Sequence, residues 1–139
     1  MAIRDIAVLL AFCGTALASD LPRTPAPPDA ELYFISPQDG DTVTSPVTVR
    51  FGLRGMGVAP AGINMESTGH HHLLIDTELP PFDLPVPADA QHVHFGKGQT
   101  ETTIELAPGT HRLQLLLGDF RHVPHDPAVV SSAIMVTVR

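Results

Sequence analysis

The clearest structural signal in the sequence is the stretch VTVRFGL, residues 47–53. Its apolar side chains alternate with polar ones, so the apolar ones fall on one face of an extended chain. This period of two is typical of a half-buried β-strand whose one face packs on a core. Pro46 stands at the start of the stretch, where a strand tolerates the missing N–H group. The pattern therefore predicts a strand within residues 43–53.

Six further segments have a strand-like pattern, and segments rich in glycine or proline separate most of them. The six segments are residues 31–35, 70–76, 92–95, 100–106, 111–117 and 129–138. The intervening residues 55–69, 78–90 and 118–127 are expected to be loops. Short strands separated by turn signals predict an all-β fold, namely an immunoglobulin-like antiparallel β-sandwich of about seven strands.

The chain of 139 residues is long enough for one domain and short for two. Residues 1–18 contain an apolar run and end in the small-x-small pattern Ala16-Leu17-Ala18, which predicts a cleaved secretory signal peptide. Residues 19–30 contain four prolines and predict an extended linker. The β-sandwich domain is expected over residues 31–139, in a protein exported to the periplasm.

The one cysteine of the sequence, Cys13, lies within the predicted signal peptide. Cleavage before Ser19 would leave a chain without cysteine, which excludes disulfides and thiolate metal sites. The alternative is a lipoprotein signal with the lipid on Cys13. The residue before it is then the bulky Phe12, where such signals prefer a small residue.

The formal charge of −7 counts against a nucleic-acid binder, which needs a basic surface, and against docking on an anionic membrane. The chain beyond the signal has no apolar stretch long enough to insert in a membrane. Tryptophan is absent, which disfavours an aromatic sugar-binding platform. The unusual feature is eight histidines beside a single lysine, Lys97.

Two His-x-His pairs lie on the predicted strands. His70 and His72 share one face because side chains alternate along a strand, and His92 and His94 share a face by the same rule. His71 should point to the core with its apolar neighbours. Neutral imidazole is a common metal ligand, and a site built only from nitrogen suits copper(II), zinc or nickel. The alternative is a structural role, in which the histidines make ordinary hydrogen bonds.

Three other histidines follow. His122 and His125 lie in a predicted loop beside Asp119 and Asp126, where they either shape the loop through backbone hydrogen bonds or complete a metal site. His111 shares its strand face with leucines, which favours a hydrogen-bonded core histidine.

Two loop methionines and two acidic residues are weaker candidates. Met56 and Met65 are either gap-filling side chains or thioether ligands for copper(I). A metal-dependent enzyme needs an open coordination position and a nearby base. Glu66 and Asp76 are the carboxylates nearest in sequence to the histidines, and neither has a diagnostic spacing. We therefore do not expect an enzyme.

Several longer motifs resemble a known family. They are GLRGMGVAPAG within residues 37–62, TGHHHLLID at 68–76, HFGKGQTE at 94–101 and PGTHRLQLLLGD within 108–125. These stretches are similar to the bacterial family called domain of unknown function 4399, over about residues 33–138. The resemblance implies an exported bacterial domain and brings no catalytic residues with it. A looser similarity is to exported copper carriers of immunoglobulin-like fold, some of which use an N-terminal histidine where this chain has Ser19.

The sequence thus predicts a periplasmic protein that binds a transition-metal ion, copper first and zinc second, and holds or delivers it. A second exported protein is a candidate partner. The candidate ligands are His70, His72, His92, His94, His122 and His125. The alternative is a non-catalytic immunoglobulin-like interaction module whose histidines are structural.

Overall fold

The alternating stretch at residues 47–53 forms the central strand of one of two packed sheets. The computed structural model describes residues 22–139, and within this range the chain forms nine strands and no helix. The strands are β1 (Glu31–Ser36), β2 (Thr42–Val43), β3 (Val47–Arg54), β4 (Gly57–Val58), β5 (Thr68–Ile75), β6 (His92–His94), β7 (Glu101–Ile104), β8 (Gly109–Gly118) and β9 (Ile134–Val138).

The first sheet has the strand order β1-β3-β7 and is antiparallel throughout. The second has the order β2-β9-β8-β5-β4, and β6 also pairs with β5. Its long central pairs, β5 with β8 and β8 with β9, are antiparallel, whereas the short β2 and β4 pair in parallel. The predicted all-β sandwich is confirmed.

The main core lies between the two sheets. Val49 and Phe51 of β3 face Leu73 of β5 and Leu115 and Leu117 of β8, and these side chains are almost fully buried. The outer face of the second sheet is also covered: Leu74 and Leu116 pack with Val86 of the proline-rich loop 78–90. Because both of its faces are covered, residues 69–74 of β5 are all buried.

The last strand is shorter than the sequence predicts. The expected strand covers residues 129–138, whereas β9 begins at Ile134. The preceding residues still follow β8, since the Leu117 N–H donates to the Val129 carbonyl. At Ser131, however, the side-chain hydroxyl accepts the Leu115 N–H in place of a backbone carbonyl. This substitution interrupts the regular ladder.

The two ends of the expected loop at 55–69 are also strand residues, because Gly57 and Val58 pair with the start of β5. Residues 22–30, part of the predicted linker, lie against the domain: Ala26 is buried in the main core and donates its N–H to the Asp126 carbonyl. The predicted signal peptide and Cys13 lie outside the described residues. No helix in residues 22–139 has the length and apolar character needed to cross a membrane.

Candidate metal centre

β5 places two histidines on its outer face, as the alternation predicts. His70 and His72 are fully buried there, with their ring centroids 4.7 Å apart. His71 points the other way, into the main core, where its ring lies 5.0 Å from that of Phe51. Leu73 lies on the same inner face as His71. The expected separation of the three consecutive histidines is thus what the structure shows.

β6 adds a third histidine to this face. His94 is paired directly with His72 across the two strands, and their ring centroids are 5.2 Å apart. His92 lies on the same face two residues along and is paired with Leu74 instead. Its Nδ1 atom is 2.8 Å from Oδ1 of Asp89. The strand register therefore brings one member of the second pair to the site and leaves the other outside it.

The loop after β8 supplies a fourth histidine. The Nδ1 atom of His122 lies 3.1 Å from Nε2 of His70, and its ring centroid lies 4.7 Å from that of His94. His70, His72, His94 and His122 each offer one nitrogen, and these four nitrogens all lie within 4.8 Å of one another. We call these four residues the histidine tetrad.

The spacing of these nitrogens suits one metal ion after a small adjustment. Ligands at about 2.0–2.1 Å from an ion lie at most about 4.2 Å apart, and about 3.4 Å apart in a tetrahedron. Since no two of these nitrogens are more than 4.8 Å apart, the widest pair would have to close by at most roughly 0.6 Å for opposite ligands and roughly 1.4 Å for a tetrahedron, which ring rotation can supply. His94 is exposed, so its ring at the rim has room to turn, and His122 is half-buried.

Two glycines leave the space that the rings occupy. Gly118 is paired with His70 in the sheet, and a Cβ atom there would lie 2.7 Å from Cε1 of His72. A Cβ atom at Gly96 would lie 2.3 Å from Cε1 of His94. Both contacts are shorter than van der Waals packing allows. The site thus needs glycine at position 118, next to the buried His72 ring, whereas a side chain at position 96 would displace the exposed His94 ring.

Burial favours the neutral form of three rings of the tetrad, His70, His72 and His94. It lowers the pKa of His70 to about 4 and that of His72 to about 2, and in both cases neighbouring histidines add to the effect. The pKa of His94 is lowered by the same two causes, burial first and the nearby His122 second. Neutral imidazole is the form that binds a metal ion. The Nδ1 atoms of His70 and His72 are buried and without a hydrogen-bond partner.

The remaining candidates lie elsewhere. His125 is buried, and its Nε2 group bonds to the Thr68 carbonyl at 3.0 Å, which ties the loop to the start of β5. The ring of His111 is bonded on both nitrogens, to Asp76 and to the Ala107 carbonyl, near the surface and not in the core. Met56 packs on the core, as a gap-filling side chain would, and Met65 is exposed.

Asp119 is a site residue whose role the sequence did not reveal. Its buried carboxylate accepts the backbone N–H groups of Arg121 and Val123, which flank His122. Burial opposes ionisation, but these bonds and the Thr24 hydroxyl hold the pKa of this carboxyl below its usual value. The available signal was the position of Asp119 and Asp126 beside His122 and His125, which left loop shaping and completion of a metal site both open.

Comparison with known proteins adds one finding. A family model described as "Domain of unknown function (DUF4399)" matches residues 49–139, which include all four residues of the tetrad. Neither the curated proteins nor the solved structures contained a match.

Proposed function

The chain belongs to the DUF4399 family, and from this premise we propose that it binds one transition-metal ion through the histidine tetrad, copper first and zinc second. The observation that carries the proposal is the convergence of four imidazole nitrogens from β5, β6 and the loop after β8. His70 and His72 are buried, and burying their polar rings costs free energy unless their nitrogens are paired. A bound ion would give each of the four residues one such partner.

The ligand set favours copper(II) or zinc. Both ions accept imidazole nitrogen, and copper(II) binds most tightly of the divalent first-row ions. The one cysteine of the sequence, Cys13, belongs to the predicted signal peptide, so no thiolate would compete for the ion or favour copper(I). The neutral state of the buried rings supports binding at neutral pH without prior loss of protons.

The role that fits this site is to hold or deliver the ion, without catalysis. Four nitrogens would fill a tetrahedral shell, whereas a catalytic zinc keeps one position open for water. Asp76, a candidate base, is already bonded to His111 and to the Arg112 N–H. His70 and His72 form the floor and the two accessible histidines form the rim, so an ion could leave towards a partner.

The proposed location is the periplasm, since residues 1–18 read as a cleaved signal peptide. Export would place the protein where copper and zinc arrive from outside the cell, and a second exported protein would donate or accept the ion. We propose neither binding to nucleic acid nor insertion in a membrane.

One contact favours the alternative, an immunoglobulin-like interaction module with structural histidines. His70 and His122 hydrogen-bond to each other at 3.1 Å, so two members of the tetrad already have a partner without an ion. In this alternative the tetrad fixes the loop after β8 and a protein, not an ion, is the ligand.

Calorimetric titration of the purified protein with copper(II) and with zinc separates the two functions. The proposal predicts binding of one ion, with at least tenfold weaker affinity in His94→Ala. The matched control is His92→Ala, which removes the other histidine of the same strand and should leave the affinity unchanged. Binding no tighter than about 10 µM (roughly −7 kcal/mol), or equal losses in both variants, would contradict the proposal.

A further inference from the structure

His122 differs from the other members of the tetrad because it lies on a loop, whereas the other three lie on β5 and β6. Its φ of 69° is in the left-handed region, which non-glycine residues rarely adopt. Such a conformation costs free energy and persists only where the surroundings enforce it. Neighbouring residues must therefore hold His122 in this conformation.

The loop is held from within by Asp119. The His122 N–H donates to the Asp119 carbonyl at 2.8 Å, and the Asp119 N–H donates to the Val123 carbonyl at 2.9 Å. The Asp119 side chain accepts the N–H groups of Arg121 and Val123 at 2.8 and 3.0 Å. This carboxylate, 1% exposed, therefore fixes the backbone on both sides of the left-handed residue.

The carboxylate is in turn held by the N-terminal segment, residues 22–27, which we call the strap. The Thr24 hydroxyl donates to Oδ2 of Asp119 at 2.6 Å. The Arg23 guanidinium donates to the carbonyls of Pro124 and His125, at the far end of the same loop. Two backbone bonds between the strap and Asp126, of 2.9 and 3.0 Å, run alongside.

We infer that the strap positions His122 as the fourth ligand, acting through Thr24 and Asp119, so that the N-terminal segment sets how many nitrogens the site offers. The Thr24 hydroxyl bonds to Asp119 and not to a member of the tetrad, and Thr24 is thus a positioning residue. That His122 is a ligand rests on the proposed function, whereas the position of His122 is a property of the metal-free protein.

The central variant is Thr24→Val, which removes the hydroxyl and keeps the shape of the side chain. Thr24→Ser retains the hydroxyl and should behave as the wild type. The matched control is Thr48→Val, because Thr48 bonds to the Thr103 hydroxyl at 3.1 Å on the other sheet, far from the site. All three are made in the full protein.

Two readouts are needed. In the metal-free protein, imidazole NMR should show the close approach of His70 and His122 in the wild type, Thr24→Ser and Thr48→Val, and its loss in Thr24→Val. Thr24→Val should bind copper about 10- to 100-fold more weakly than the wild type. Once loaded with copper, it should show one coordinated nitrogen fewer than the wild type in the electron paramagnetic resonance spectrum. The double variant Thr24→Val/His122→Ala should bind no more weakly than His122→Ala.

The outcomes distinguish the two claims. If His70 and His122 are as close in Thr24→Val as in the wild type, the inference that the strap positions His122 is wrong, whether or not the protein binds metal. A wild-type protein that binds neither copper nor zinc overturns the proposed function, and the strap then positions a structural histidine, not a ligand. An equal loss of affinity in Thr48→Val assigns the effect to general destabilisation and also overturns the inference.

Discussion

His70 and His122 are separated by 52 positions in the sequence, yet Nε2 of the first lies 3.1 Å from Nδ1 of the second. One ring stands on a central strand and the other on a strained loop residue. This contact joins the part of the tetrad on the sheet to the part on the loop. An ion between the four rings would tie the sheet to the loop and should make the domain harder to unfold.

Metal is therefore expected to raise the melting temperature. An ion present at 100 times its dissociation constant stabilises the folded state by about 2.7 kcal/mol if it binds the folded state alone. Thermal denaturation with and without copper or zinc measures the shift. His72→Ala should remove the shift, and His111→Ala, which lies outside the tetrad, should retain it. A melting temperature that no metal changes would favour the interaction module.

The metal-free protein is expected to lose stability in acid already at pH values above the range in which carboxylates titrate. Burial lowers the pKa of both His70 and His71 to about 4 and that of His72 to about 2. Below pH 6.5 the unfolded chain binds protons on these side chains and the folded chain does not, so stability is complete above pH 6.5 and falls as the pH drops towards 4. Each histidine contributes about 1.4 kcal/mol per pH unit.

Urea denaturation at pH 7, 6 and 5 gives this slope. His71→Leu should reduce this slope by up to about 1.4 kcal/mol per pH unit, because one of the buried histidines with a lowered pKa is removed. The same change should raise stability at low pH, since both ring nitrogens of His71 are buried without a partner. A free energy of unfolding that is equal at pH 7 and pH 5 would show that these rings are not buried as neutral groups.

Gly118→Ala tests the space around the tetrad. The added methyl group would lie 2.7 Å from the His72 ring and 3.3 Å from Cα of His122. We expect a loss of about 1–3 kcal/mol of stability from overpacking and at least tenfold weaker metal binding. Gly57→Ala is the control, because a methyl group there would meet Thr68 at an ordinary 3.6 Å. Equal behaviour of the two variants would mean that the pocket does not depend on Gly118.

The pair of His111 and Asp76 should have the opposite pH dependence. The hydrogen bond to the Asp76 carboxylate, with a second to the Ala107 carbonyl, raises the pKa of His111. Its contribution is therefore complete below pH 6.5 and is lost as the pH rises through the raised value. His111→Gln should cost on the order of 1 kcal/mol at pH 6 and less at pH 9. An equal cost at both values would contradict the assignment.

Local periodicity predicted much of the fold and half of the tetrad. Alternation along a strand is a short-range property, so it placed His70 and His72 together and His71 in the core. It could not choose between His92 and His94, because the choice depends on the register of β6 against β5. It also could not place His122, whose position depends on a loop that Thr24 and Asp119 hold from distant parts of the sequence. The predicted strand over residues 129–133 was wrong because the Ser131 hydroxyl replaces a backbone acceptor.

X-ray absorption spectroscopy of the metal-loaded protein counts the nitrogens that surround the ion. We expect four imidazole nitrogens in the wild type, which for zinc lie at about 2.0–2.1 Å, and three such nitrogens in His94→Ala. An ion surrounded mainly by oxygen, or a shell that His94→Ala leaves unchanged, would contradict the proposal that these four rings share one metal ion.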